Sequence, residues 1–587
     1  MRPSSTPYSI PFLLFSATLF NACSDDVSGS GDLTGAGGHA AATAATGGVL
    51  PTSGGAPAAG GQTAGGSGGV TVAAGGTFAN GGGDAAGSGG TGFSAGGAGL
   101  GAGGAGGSSS GGQWANGGQT AGGQPSVGGN ASGGSASGGQ NASGGTVSVG
   151  GQPAGGTTSG GAGSGGQGGE AASSGGTDDR GPTPPSATAE FPFPQNRHSE
   201  NCYYPAAYTN DDVRALYAAW KEDLVTSEGA RGYRRVARVA EPGLEPNSTV
   251  SEGIAYGMLI SVYMDDQPLF DDLWKYALQY SWTYNPPFGG GGQSDTTLLM
   301  NWYIHADGNI SQGGGDDPAG SGAATDADED IAFALVMADR QWGGAGSLDR
   351  SYIDYARELI DDIWTYEIAN ERLPKNGSSW GSDNSLNISY FAPAYYRTFA
   401  AVSGDNRWVT NVVPYVYTVI ENNLGGGNGN ADNGLVPAWS RSDGQPAEVG
   451  MGENPLPYHY QYDSCRTPFR IGQDACWHGE ARALSYVAKT SQFFSSLGAP
   501  NIVDGYELDG TPRPEFPDLF GGLSGAFIGP AGVGAMHDGS FSAFVDEVYS
   551  MVRENEMWAG GQYYDESWLM LSILMMTGNF VDYTQYD

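Results

Sequence analysis

The sequence predicts an all-α domain of about 400 residues, built from paired helices closed into a ring and preceded by a long N-terminal segment with no core of its own. Three observations lead there. Apolar residues recur at helical spacing after start signals near Asp211, Glu252, Pro268, Asp328, Asp349, Tyr390, Arg407, Arg466, Glu480, Phe541 and Asp565, with a further start near Asp518. That series approaches the helices of six αα-hairpins. No stretch sustains the period-2 alternation of a β-sandwich. Large apolar side chains are concentrated beyond residue 185, and most of the 104 glycines lie before it.

Taken in order, residues 1–23 read as an export signal. Arg2 is the only early charge, and Ile10 to Phe20 is an apolar run too short for a stable membrane span. Cys23 closes it: Phe20-Asn21-Ala22-Cys23 has the small residue before cysteine that a lipoprotein signal needs, with Phe where Leu is usual. The expected location is the outer membrane or cell surface, anchored by lipid on Cys23, with plain secretion as the alternative. Residues 24–185 are Gly, Ala, Ser, Thr, Gln and Asn with too little apolar surface to offset ordering entropy, so a disordered linker is expected. A Gly-rich coil of this kind, about 160 residues long, has a root-mean-square reach of roughly 70 Å. Its near-repeats lack the triplet period of a collagen helix. The folded domain is then 186–587.

Of the 61 acids and 24 Lys plus Arg in the chain, seven acids and two bases lie up to residue 180; the remaining 54 and 22 give the rest a formal net charge of −32. Such a surface repels nucleic acid and anionic polysaccharide, and suits a neutral glycan or a cationic one such as chitosan. After Cys23, three cysteines remain: Cys202, Cys465 and Cys476. On one straight helix Cys465 and Cys476 would stand ~16 Å apart, too far to bridge, which leaves Cys202 paired with one of the two. No His-x-x-His, Cys-x-x-Cys or EF-hand spacing appears, so neither a metal nor a cofactor is implied.

The segment Ala324-Thr325-Asp326-Ala327-Asp328-Glu329-Asp330 places four acids in five residues and runs directly into an apolar stripe, Ile331, Leu335, Ala338 and Trp342. A solvated charge run is not joined to a core in this way. A capping role for Thr325 or Asp326 competes with a functional one. Glu252, in Thr249-Val250-Ser251-Glu252-Gly253, also opens an apolar run. Asp463 follows Tyr462 and precedes Arg466 by three residues, a spacing that alone suggests an ion pair.

Together these segments resemble glycoside hydrolase family 8, over roughly residues 198–585. The stretch from Ala324 to Trp342 matches the family signature, the Ser251-Glu252-Gly253 block resembles the general-acid segment, and Tyr462-Asp463 with Arg466 resembles the general-base segment. Leu299-Met300-Asn301-Trp302 looks like the strip that carries a sugar-stacking tryptophan, and Tyr563-Tyr564-Asp565 precedes a closing helix as in members. The resemblance implies an (α/α)6 barrel and an inverting, endo-acting hydrolase of β-1,4-glucan, of the cellulase-like branch. The alternatives are a xylanase or chitosanase of the same family, an accessory hydrolase of cellulose export, and a non-catalytic glycan-binding surface lipoprotein. A β-linked polysaccharide is the expected partner of a monomeric chain.

Inverting hydrolysis needs a protonated acid at the leaving oxygen and a carboxylate holding water on the opposite face, about 6.5–9.5 Å apart. The resemblance assigns Glu252 and Asp463 to these roles. A helix N-terminus favours the charged form of Glu252, so an opposing influence is required. Asp326 would supply it as a like charge, with partial desolvation adding to it, and in the family the matching aspartate also holds the distorted sugar. Asp463 must stay ionised, for which Arg466 is the nearby cation and Tyr462 a hydrogen-bond partner for the water or the carboxylate. Asp328 and Asp330 are read as bracing the helix. Trp302 is the leading stacking platform, with Tyr563 and Tyr564 also placed at the substrate.

Overall fold

The computed structural model describes residues 188–586 apart from 241–243, 287–292, 315–316, 448, 452–453, 457, 518–519 and 555–560. The export signal, Cys23 and the linker of residues 24–185 lie outside the described residues.

Each helix begins where apolar periodicity meets a start signal, and two kinds alternate along the chain. Helices α1 (Asn210–Leu224), α3 (Gln267–Leu278), α5 (Tyr352–Tyr366), α7 (Val413–Gly425), α9 (Ala481–Leu497) and α11 (Ser542–Arg553) bury one face. Helices α2 (Ser251–Tyr263), α4 (Thr325–Trp342), α6 (Pro393–Ser403), α8 (Thr467–His478), α10 (Gly525–Ala535) and α12 (Tyr563–Met576) are buried over most of their circumference. A helix apolar on one stripe faces water with its other side, and one apolar all round has helices on all sides. The second set accordingly packs α2–α4–α6–α8–α10–α12 and back to α2, and each member of the first set lies against a neighbour in that ring. The result is an (α/α)6 barrel. β-Structure among the described residues is confined to short two-stranded ribbons, the longest strand being Asp295–Met300, and to isolated bridges.

The helix without a clear start in the sequence is α10. Its sequence, Gly-Ala-Phe-Ile-Gly-Pro-Ala-Gly-Val-Gly-Ala, reads as turn material. Packing explains it. A Cβ on Gly525 would stand 2.6 Å from Leu569 Cγ of α12, and one on Gly532 2.5 Å from Val548 Cγ1 of α11. The glycines let this helix approach both neighbours more closely than any side chain would allow. It begins at Gly525, not near Asp518. The start read at Arg407 is a π-helical turn, Trp408–Val412, that leads into α7.

Cys202 pairs with Cys476, with Cα atoms 5.2 Å apart, and fastens the segment before α1 to the end of α8. Cys465 is a buried free thiol whose pKa burial pushes up.

Candidate active site

The inner helices run parallel, so their N-termini gather at one end of the barrel. Glu252, Asp326 and Asp463 come together there because each lies at or just before the start of an inner helix: α2, α4 and α8.

Local pairing fixes the entrance of α2. Thr249–Val250 runs antiparallel to Tyr303–Ile304, and Ser251 N–H donates to the Trp302 carbonyl at 2.8 Å, setting Glu252 beside the Trp302 strip. Glu252 Oε1 accepts from the Tyr256 hydroxyl at 2.7 Å, one turn along the same helix, and Oε2 lies 3.6 Å from Arg466 Nη1. Its side chain keeps 20% of its surface exposed. Burial drives its pKa up to about 7, with Arg466 and the Tyr256 hydroxyl opposing and the charges of Asp326 and Asp463 adding to the rise. The order of causes differs from the sequence expectation: desolvation leads, and the like charge of Asp326 comes after it. Glu252 stands at the rim of a packed interior, where little water remains to hydrate a carboxylate.

Asp326 is 2% exposed and accepts from Arg466 Nη1 at 2.6 Å. One turn further along both helices, Arg470 grips Asp330 with both terminal guanidinium nitrogens, Nη1 and Nη2. Asp326/Asp330 on α4 thus face Arg466/Arg470 on α8 at matching i, i+4 spacing. Two buried ion pairs set the register of these helices. Asp330 braces its helix, as expected from the sequence, but across the barrel. Glu329 accepts from the Tyr396 hydroxyl at 2.8 Å and Asp328 from the Met300 N–H at 3.0 Å. The N-cap position of α4 is Ala324, which makes no side-chain bond, but Asp326 Oδ1 accepts from the Ala327 N–H at 2.9 Å and so serves the first turn as well as Arg466.

Arg466 is therefore not the ion-pair partner of Asp463. Its guanidinium is buried, bonded to Asp326, with Nε donating to Ser389 Oγ at 3.0 Å and the Tyr390 ring 4.9 Å away. At the N-cap of α8 its ion pairs go to Asp326 and Glu252, while its charge still acts on Asp463 without a bond between them. Asp463 instead accepts from Gln461 Nε2 at 3.1 Å and Asn387 Nδ2 at 3.4 Å. Burial raises its pKa against the pull of Arg466 and the Gln461 bond. A base raised in this way is stronger once deprotonated. The Tyr462 hydroxyl meets neither Asp463 nor a position beside it; it donates to Asp504 at 3.2 Å.

The aromatic residues divide. Tyr564 is half-buried beneath the mouth, donates to the Tyr462 carbonyl at 2.9 Å and lies 6.0 Å from the Arg466 guanidinium. Trp302 and Tyr563 are 6% and 7% exposed, the first donating to the Ala319 carbonyl at 2.8 Å and the second lying under Arg238. Little of either ring is left for a sugar face. Trp380, absent from the sequence-derived candidates, is half-buried in a loop beside the start of α4, where a Cβ on Gly377 would meet both its Nε1 and the Ala323 carbonyl. It packs both against a small apolar cluster of Trp439, Ala438 and Ala447 and against the main core. A signal was available in Asn376-Gly377-Ser378-Ser379-Trp380-Gly381-Ser382-Asp383-Asn384, a tryptophan with no apolar neighbour to pack on in sequence. Among the described residues no group of three or more His, Cys, Asp or Glu is placed to hold a metal ion.

The model for glycosyl hydrolases family 8 matches residues 199–578. Endoglucanase A of Acetivibrio thermocellus is 36% identical over 372 residues, covering 63% of this chain and 69% of that protein. Endoglucanase C of Ruminiclostridium cellulolyticum is 33% identical over 408 residues, covering 68% and 80%. Among solved structures, a β-1,3-1,4-glucanase from Paenibacillus sp. X4 superimposes with a TM-score of 0.57 at 29% identity, covering 67% of this chain and 99% of that one. A ring of six helix pairs with carboxyl groups gathered at its mouth defines a glycoside hydrolase of the (α/α)6 class. The chain belongs to glycosyl hydrolases family 8.

Proposed function

We propose that this domain is an inverting endo-β-1,4-glucanase in which Glu252 is the general acid and Asp463 the general base. The observation that carries this reading is a carboxyl kept protonated up to about pH 7, Glu252, at the same mouth as a second carboxyl, Asp463, which accepts from the amides of Gln461 and Asn387. Glu252 gives its proton to the glycosidic oxygen as the C1–O bond breaks. Asp463 takes a proton from a water whose oxygen bonds to C1 from the opposite face, which inverts the anomeric centre. Asp326, bonded to Arg466, contributes negative charge beside the cationic C1 of the transition state and anchors the sugar there. Trp380 and Tyr564 present rings on which neighbouring sugars stack.

The relatives named endoglucanases support glucan as the substrate, and the acidic surface disfavours anionic polysaccharides. Carboxymethyl-cellulose, mixed-linkage glucan, xylan and chitosan assayed with the purified domain test it. The first two should be cleaved fastest; a chitosan or xylan rate above both would keep the reaction class and refute the glucanase reading.

The proposal extends to location: export, lipid attachment at Cys23 and a glycine-rich tether that carries the hydrolase away from the membrane. The mature protein should partition into detergent and lose that behaviour on Cys23→Ser. Equal partitioning of the two forms would exclude the anchor.

A further inference from the structure

We propose that Asp504 is a positioning residue that holds Asp463 in its working orientation, by gripping the Tyr462 hydroxyl and the loop folded behind it. This rests on Asp463 acting as the base.

Asp463 has few fixings of its own. Among the described residues its carboxylate meets two neutral amides, one of them at 3.4 Å, and forms no ion pair, the Arg466 charge acting on it without a bond. Its flank is held instead. Asp504, in the connection between α9 and α10, is 1% exposed and receives three donors: the Tyr462 hydroxyl at 3.2 Å, Glu515 N–H at 2.9 Å and Phe516 N–H at 3.0 Å. The two backbone bonds close the loop of residues 504–516 on itself, and the tyrosine bond ties the base-bearing turn to that closed loop. Two further links join the same partners. His459 Nε2 pairs closely with the Glu515 carboxylate, and Tyr460 and Tyr506 exchange backbone bonds of 3.0 and 2.9 Å. The Tyr462 ring is lodged edge-on against Phe516 and Phe527, with centroids 5.8 and 5.2 Å away.

Within this array Asp504 is the shared acceptor, the one side chain that both closes the loop and holds the residue adjoining Asp463. The other charged groups around it are Glu515, occupied by His459, and Asp565, across Tyr462. Burial raises Asp504 to about 6, so its carboxylate is ionised at neutral pH and loses acceptor strength as pH falls through that value.

The test is a double-mutant cycle of Asp504→Asn and Tyr462→Phe on the whole domain, with kcat and KM for a soluble cello-oligosaccharide followed across pH. Each single change should lower kcat about tenfold with KM within about twofold, since displacement of a reacting group affects the chemical step far more than binding. The double variant should be no worse than the poorer single one, because both remove the same link. The acid limb of kcat should move to lower pH in all three, as a loosened Asp463 loses part of the burial that raises its pKa. Additive losses, a rise in KM at constant kcat, or an unmoved acid limb would overturn the proposal. If Asp504→Asn does not fold, Tyr462→Phe, which keeps the packed ring, decides on the kcat/KM split and the acid limb. Asp463→Asn is measured alongside. Its inactivity together with wild-type kinetics in both clamp variants would refute the clamp alone, whereas retained activity would refute the base reading and the clamp with it.

Discussion

Glu252→Gln is expected to lower kcat on soluble β-1,4-glucan by about 10²–10⁴-fold while leaving the affinity for a bound oligosaccharide within about twofold. The amide fills the same space, can still accept from the Tyr256 hydroxyl, and lacks only the proton to give. Loss of fold is separable from loss of acid because stability should move the other way. The folded pKa of Glu252 is about 7 against an ordinary value of 4.5. Between those two values the folded state therefore binds more protons than the unfolded one, and stability falls as pH rises through that window. The replacement escapes this penalty, so at pH 8 the variant should match or exceed the parent, by at most about 3 kcal/mol. In the parent, kcat/KM should decline above about pH 7 as the acid ionises. Asp326→Asn should move that alkaline limb to lower pH, because a like charge is lost and Arg466 is freed to turn to Glu252, now 3.6 Å away. Retention of more than a tenth of parental turnover by Glu252→Gln would remove Glu252 from the role.

Asp463→Asn should be about as severe, roughly 10²–10⁴-fold in kcat, since water then has no base to accept its proton. Azide should not rescue it through a retained product, because inversion involves no covalent sugar–enzyme intermediate. Titration should place the acid limb of the parental kcat above the range of an ordinary aspartate, in line with the burial of Asp463. Azide-dependent formation of a retained glycosyl azide would instead give Asp463 the place of a nucleophile.

The sequence carried the fold through its repeated helix starts, and the starts at Asp211, Glu252, Glu480 and Phe541 stand within a residue of those observed. Local periodicity encodes such boundaries. It could not show α10, whose glycines answer to the side chains of Leu569 and Val548 in neighbouring helices. The three carboxylates stood out through the resemblance of their segments taken together, since a lone carboxylate at a helix start reads equally as a cap or an ion pair. Their partners did not. Arg466 lies three residues from Asp463 in sequence and 140 from Asp326, yet the bond goes to Asp326, since the direction of a side chain at a helix cap is set by what fills the barrel. Asn387 and Asp504 sit in loops with no periodic pattern, 76 residues from Asp463 and 42 from Tyr462, so nothing local marks them as partners of the turn that carries Asp463. The pairing of Cys202 was narrowed by helical distance to two thiols and decided only by where the segment before α1 crosses the end of α8.

The stereochemistry of the first product tests the central assignment most directly. Proton NMR of the domain hydrolysing a β-1,4-linked glucan, read before mutarotation, should show the α anomer appearing first, as water activated by Asp463 enters opposite the bond that Glu252 protonates. Initial release of the β anomer would contradict inversion and the separate roles of these two carboxyl groups.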